Sequence, residues 1–196
     1  MTHQLGLGTA TEWEHAVATL RAVPIRPELI IEEVPAPNRL APHSIALAVD
    51  AVGPDDEDLA NGRLVVLHDP QEQETWDGRF RVVTFVRASV ETEMVTDSML
   101  DEVAWSWLTD ALSDLDADHH NLSGTVTRTV SRPFAGLEGR DGQTDLEIRA
   151  SWTPDSEDLA AHMQAWLAVV EKCAGLTPAP VGVAFIAPRK KSLHDS

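Results

Sequence analysis

The stretch DSMLDEVAWSWLTDALSDL, residues 97–115, reads as one long amphipathic helix, and the rest of the chain is arranged around it. Leu100, Val103, Ala104, Trp107, Leu108, Ala111, Leu112 and Leu115 recur at three- and four-residue spacing, which places them on one face. Asp97 or Ser98 can cap the start, and Asp101 and Glu102 stand in the first turn, where the helix dipole favours acids. On a helical wheel Trp105 lies at the far edge from Trp107, beside Leu112. The apolar arc from Val103 to Trp105 is therefore wider than the roughly 100° stripe of an ordinary surface helix. A second element or a partner chain is expected over it, which makes a homodimer through the central helix an expectation.

Upstream, residues 9–23 predict a helix. Thr9 with Glu12, or Thr11 with Glu14, fits a capping box; Trp13, Ala16, Val17, Leu20 and Val23 form the stripe; Pro24 and Pro27 end it. Residues 28–34 read as a strand rich in β-branched side chains. PAPNRLAP (35–42) holds three prolines and is irregular. Strands are predicted over 44–52 and 63–69, separated by an acidic loop (53–62), with Pro70 breaking the second. Asp77-Gly78 is a turn pair. Residues 79–91 alternate most clearly: Phe80, Val82, Thr84, Val86 and Ala88 on one side, Arg79, Arg81, Val83, Phe85 and Arg87 on the other.

Downstream of the central helix, 121–132 and 143–152 form a strand pair. Thr153-Pro154 is expected to open a last helix as N-cap and first-turn proline, with Leu159, Met163, Trp166, Leu167, Val170 and Ala174 as its stripe and Gly175 closing it. The order is helix, four strands, helix, two strands, helix. Strands joined by short loops pair antiparallel and the helices cover one face, so the class is α+β. No repeat and no linker divides the chain. One domain is expected over 9–187, with a flexible N-terminus (1–8) and a flexible tail (188–196).

The chain has 196 residues, 43% of them hydrophobic, enough for one sizeable core. Lys plus Arg is 15 and Asp plus Glu is 32, a net charge of −17. That field repels nucleic acid and anionic membranes and attracts partners with a basic surface. The single cysteine, Cys173, allows neither an intrachain disulfide nor a cysteine zinc site. No apolar run approaches the roughly 20 residues of a membrane span, and the first residues lack a signal peptide's basic start and apolar core. A reduced, cytoplasmic protein without cofactor is expected.

The residues that could carry chemistry each have a plainer reading. Asp114, Asp116, Asp118, His119 and His120 offer metal-ligand side chains, but neighbouring histidines on an extended segment diverge, and a solvated helix end explains them. His68-Asp69-Pro70 contains a base and an orienter, but adjacent strand residues face apart, so a turn is the better reading. Cys173 lies in an apolar stripe at a helix end and reads as an inert thiol. His15 and His162 flank helix stripes and read as boundary residues. The GLGTAT start (6–11) lacks the preceding strand a phosphate loop needs. Trp76, in a polar loop, is either an exposed interface residue or a hairpin lid.

The strand arginines stand apart. Arg79, Arg81 and Arg87 share a face of one strand, and Arg128 and Arg149 lie on the later pair. If those faces coincide, a guanidinium patch suited to carboxylates or phosphates sits on an open sheet. The alternative is cross-strand pairing with Glu91, Glu93, Glu147 or the acidic loop.

RPELIIEEVPAPNRLAPHSIAL (26–47), GRLVVLHDP (62–70), WDGRFRVVTFVRA (76–88), VAWSWLTDAL (103–112), SGTVTRTVS (123–131) and LEIRASWTP (146–154) together resemble an actinobacterial family known as domain of unknown function 3000. The resemblance runs from about Trp13 to Val183. It implies a bacterial cytosol and no particular activity, cofactor or catalytic residue. The element order, apart from the strand at 28–34, is also similar to the secretion-chaperone-like fold, whose members are often small acidic dimers that bind proteins. Two functions are therefore expected in competition. The first is a non-enzymatic, chaperone- or adaptor-like protein that offers a sheet and an acidic surface to another protein, and an exposed apolar groove beside Trp105 would favour it. The other is an enzyme or small-anion-binding protein using the arginine-bearing sheet face.

Overall fold

Residues 5–90, 99–135 and 143–177 are described in the computed structural model. In chain order they form α1 (Leu5–Arg21), β1 (Leu29–Val34), β2 (His43–Val52), β3 (Asp58–Gln73), β4 (Gly78–Val90), α2 (Leu100–Asp114), β5 (His119–Ser131), β6 (Gln143–Pro154) and α3 (Ala160–Cys173). The strands make one antiparallel sheet in the order β1-β2-β3-β4-β6-β5. The first four follow each other as a meander. Helix α2 then carries the chain to the far edge, and β6 returns between β5 and β4. This is the single α+β domain the pattern predicts.

The alternation in β4 decides which face the helices cover. Phe80, Val82, Thr84, Val86 and Ala88 are buried beneath α2 and α3 with Leu64, Val66, Ile148, Ala150 and Trp152 from the neighbouring strands. Each large apolar side chain removed from water there stabilises the fold by roughly 1.5–3 kcal/mol. Trp166 of α3 is fully buried, and close approach is possible because β3 has Gly62 below it. A Cβ at Gly62 would lie 3.4 Å from the Trp166 ring and 3.0 Å from the Phe85 carbonyl. Arg26, almost wholly buried, bonds to Glu28 next to β1, to Glu171 on α3 and to the Thr177 carbonyl, tying both ends of the described domain together.

Several boundaries differ from those read in the sequence. Helix α1 begins at Leu5, so residues 6–11 are helical and Glu12 is no capping residue; its carboxylate turns to Arg79 instead. Strand β3 starts inside the expected acidic loop and passes through Pro70. The ladder to β4 is irregular between His68 and Gln73, so the missing proline N–H breaks no regular pairing. Strand β6 runs on through Thr153 and Pro154, opposite His120 and His119, because the Thr153 hydroxyl donates to the Trp76 carbonyl instead of capping a helix. Helix α3 therefore starts at Ala160, whose N–H is accepted by Asp158.

Both later helices end in the same motif. Gly175 takes φ 66°, with its N–H on Lys172 and that of Leu176 on Glu171. At the end of α2 the equivalent residue is Asp116, φ 52°, with its N–H on Ser113 and that of Ala117 on Leu112. The acid-rich end of α2 thus has a backbone role. Asp97 and Ser98, the expected caps of α2, lie outside the described residues.

The apolar arc of α2 is covered from within the chain over its centre, while Val103 at its edge stays 41% exposed. Its buried stripe is Leu100, Ala104, Leu108, Ala111 and Leu112, with Trp105 and Trp107 half-buried at either side and Val103 more exposed. Trp105 stands over Gly124 of β5. Among the described residues no helix is long and apolar enough to cross a membrane.

Candidate functional site: the open sheet face

The opposite face of the sheet carries no helix among the described residues, and register places its side chains in rows. Ala48, Arg63, Phe85, Arg149 and Thr125 stand side by side from β2 to β5. One pair along, Ala46, Val65, Val83, Ser151 and Ser123 form the next row. The Arg149 guanidinium lies 5.2 Å from the centre of the Phe85 ring and its Nε donates to Glu147 at 2.5 Å. Above Val65, Val83 and Phe85 is an open hollow of about 530 Å³, rimmed by Arg63, Arg149, Ser123, Thr125 and Ser151. That volume is in the range of small-molecule sites.

The five arginines singled out by the sequence are divided. Arg149, Arg81 and Arg87 belong to the open face. Arg87 is neutralised by Asp145 at 2.6 Å, and the ion pair holds its pKa above the ordinary value. Arg81 bonds only to neutral groups, donating to the Ser151 hydroxyl, the Thr153 hydroxyl and the Asn121 carbonyl. Burial lowers its pKa, although a guanidinium remains charged at neutral pH. Arg79 reaches Glu12 on α1 at 3.0 Å. Arg128 pairs across from Leu146, on the helix side, and bonds to Asp101 of α2 at 2.8 Å. The later strand pair therefore does not present both of its arginines on one face.

Sequence reasoning missed Arg63. It is the first residue of the strand expected over 63–69, and its alternation with Leu64, Val65 and Val66 carries the face assignment. Among the described residues no carboxylate lies within ion-pair distance of Arg63 or Arg81. Trp105 lies on the helix side over Gly124 and does not contribute to this face.

The titratable residues near the turns are structural. His68 is fully buried in a stack with Trp13, His43 and Phe80, 4.4 Å from the last, and its Nε2 lies 3.4 Å from the Glu12 carboxylate. Burial lowers its pKa, against the pull of Glu12. Asp69 accepts from the Gln71 N–H and the Gln73 amide, which hold its pKa down; it lies in the irregular stretch of β3 and not in the turn expected there, which the chain makes at 74–77. His120 is held by Asp155 at 2.5 Å and by the Asp77 carbonyl at 2.8 Å, so it clamps the β3–β4 hairpin to β6. Asn121 and Thr153 add bonds to the Trp76 carbonyl, which makes the half-buried Trp76 part of that clamp. His162 is buried, not a boundary residue, and accepts a hydrogen bond from Trp152. Burial pushes the Cys173 thiol up to about 12, so it stays protonated and unreactive. Among the described residues no group of three or more His, Cys, Asp or Glu side chains is disposed to hold a metal ion.

Fold and site together define an α+β protein with one helix-covered sheet face and one open face bearing arginines. The chain belongs to the family described as proteins of unknown function, DUF3000, whose model matches residues 9–184. No curated protein and no solved structure matches it.

Proposed function

We propose that this chain is a non-enzymatic binding protein whose open sheet face receives an anionic partner. The observation that carries the reading is Arg63, a guanidinium on the rim of the hollow without a carboxylate partner among the described residues, across Phe85 from Arg149, in a chain of net charge −17. With so many acids available, a cation left unpaired beside an apolar floor favours an anion from outside. Among the described residues no imidazole or thiol lines the hollow, and the Ser151 hydroxyl accepts from Arg81, so there is no activated nucleophile there. The cytoplasmic setting expected from the sequence belongs to the same proposal.

The chaperone- or adaptor-like reading, with a basic protein partner, draws on the net charge and on Val103, 41% exposed on α2 beside the half-buried Trp107. It engages the helix side, whereas the anion reading engages the sheet.

Backbone amide shifts distinguish them. Titration with inorganic pyrophosphate is expected to move the amides around Arg63, Phe85 and Arg149 and to leave α2 and α3 unmoved. The Arg63→Gln/Arg149→Gln variant is expected not to respond. Shifts scattered over the helices, or unchanged in the variant, sink the reading.

A further inference from the structure

The row Arg63–Phe85–Arg149 is a ridge between two hollows. On one side is the hollow of about 530 Å³ floored by Val65 and Val83. On the other is a hollow of about 460 Å³ lined by Ala48, Asp50 and Asn61. Arg63, Phe85 and Arg149 line both. The two sides differ in chemistry: the first is apolar with hydroxyls at its wall, and the second offers an exposed carboxylate and an amide.

We infer that the open face binds a phosphodiester amphiphile lying across this ridge, its phosphate between Arg63 and Arg149. Its apolar end rests on Val65 and Val83, and its hydroxyl- or amine-bearing end lies beside Asp50 and Asn61. The inference rests on the anion-binding reading above and names the ligand class. Arg63 and Arg149 stand on the two strands that flank β4, about 10 Å apart at the backbone, a gap two long side chains can close onto one anion; Arg149 gives its Nε to Glu147, and its terminal nitrogens are the ones that meet the phosphate. The Phe85 ring beneath them excludes water and strengthens both contacts. A carboxylate terminates a ligand, whereas a phosphodiester continues on both sides, and the ridge has a hollow on both sides. Asp50 repels a second anion and accepts from a hydroxyl or ammonium group.

Isothermal titration of the full chain tests this with three probes, all as monomers in solution. The first is lysophosphatidylethanolamine with an eight-carbon acyl chain. The second, glycerophosphoethanolamine, lacks the apolar end. The third, octyl phosphate, lacks the polar end. The complete amphiphile is expected to bind at least ten-fold tighter than either fragment. Val83→Asn is expected to abolish that advantage over glycerophosphoethanolamine, and Asn61→Ala to reduce the advantage over octyl phosphate. Equal binding of octyl phosphate and the complete amphiphile overturns the two-sided site. Binding only to vesicles carrying the same headgroup overturns it in favour of a membrane surface. If pyrophosphate moves the Arg63 and Arg149 amides but no amphiphile binds more tightly than glycerophosphoethanolamine, this inference falls and the anion-binding reading stands. If pyrophosphate moves nothing either, both fall.

Discussion

Trp105 stands on Gly124. A Cβ built on Gly124 would lie 2.6 Å from Cζ3 of the Trp105 ring and would collide with the Arg149 carbonyl. Gly124→Ala is therefore expected to lower stability by about 1–3 kcal/mol, the cost of overpacking a formed core. Part of that loss should return in the Gly124→Ala/Trp105→Leu double variant, since the backbone collision remains. A urea-denaturation double-mutant cycle reads the coupling. Strictly additive losses would mean that the indole and the strand are independent.

Trp152 donates its indole N–H to Nδ1 of His162 at 3.0 Å, which requires that nitrogen unprotonated. Burial lowers the His162 pKa from 6.5 to about 4, with His119 adding to the effect and Asp155 and Asp158 opposing it. Below pH 6.5 the unfolded chain takes up a proton that the folded chain refuses. The stabilisation is complete above pH 6.5 and is lost as pH falls towards 4, by about 2–3 kcal/mol at pH 4.5. His68, also lowered by burial, acts in the same direction. Urea midpoints at pH 7.5 and 4.5 should fall less steeply in His162→Gln, whose amide oxygen can still accept from Trp152. Identical slopes in the two proteins would remove His162 from the acid transition.

His120 has the opposite sign. The Asp155 hydrogen bond, then that of the Asp77 carbonyl, raises its pKa above 6.5. Its contribution is present below pH 6.5 and disappears as pH rises through the raised value. Hydrogen exchange of the Trp76 and Asp77 amides, corrected for base catalysis, should accelerate above that pH as the hairpin clamp loosens. His120→Asn should abolish the pH dependence. Protection that is flat with pH in the parent protein contradicts the clamp.

Glu12, nearly buried, has Arg79 at 3.0 Å and His68 at 3.4 Å. Arg79→Ala leaves the carboxylate with the imidazole. Because the Arg79 side chain is about half exposed, the expected cost is only about 1–2 kcal/mol. The more specific consequence is electrostatic: the Arg79 charge opposes protonation of His68, so the His68 pKa should rise in the variant. NMR titration of the imidazole carbon-bound protons measures it, and an unmoved or lowered value refutes the arrangement.

Asp116 holds φ 52° at the end of α2, a conformation glycine adopts without strain, and its charge faces the negative end of the helix dipole. Asp116→Gly should raise stability by about 1 kcal/mol despite the added freedom of the unfolded chain. Thermal unfolding shows this directly; an unchanged or lower midpoint would mean that the carboxylate makes a compensating interaction.

The element order was legible because two stretches carry unambiguous periods. In β4 Phe80, Val82, Thr84, Val86 and Ala88 take every second place, with Arg79, Arg81 and Arg87 between or beside them, and α2 repeats at three and four. What the sequence hid are the places where tertiary contacts override a local signal. Thr153-Pro154 has the form of a helix start, but the Thr153 hydroxyl is taken by the Trp76 carbonyl, 77 residues upstream, and pairing with β5 holds the segment extended. Glu12 resembles a capping acid until Arg79 is brought beside it. The arginine face was legible only along β4, where one alternation fixes it. Whether Arg128 joins Arg149 depends on the register of β5 against β6, which places Arg128 opposite Leu146 and therefore beneath α2. Arg63 opens the strand expected over 63–69, but its place in the arginine row depends on the register of β3 against β4, which sets it beside Phe85.

The insertion of β6 between β4 and β5 also sets a schedule for biosynthesis. When β4 emerges from the ribosome it can pair with β3 at once, but its other edge belongs to a strand beginning at Gln143. About fifty residues must be translated before that strand exists, a few seconds at roughly 5–20 residues per second. For that interval the run Val82–Val83–Thr84–Phe85–Val86 is a bare, strongly β-forming edge. Arg79 and Arg81 before it and Arg87 after it are spaced as gatekeepers, charges that hinder two nascent chains from annealing through the same run. Three cations that the mature fold ties to Glu12, to Asp145 and to the Ser151 and Thr153 hydroxyls thus guard the chain while it is still incomplete.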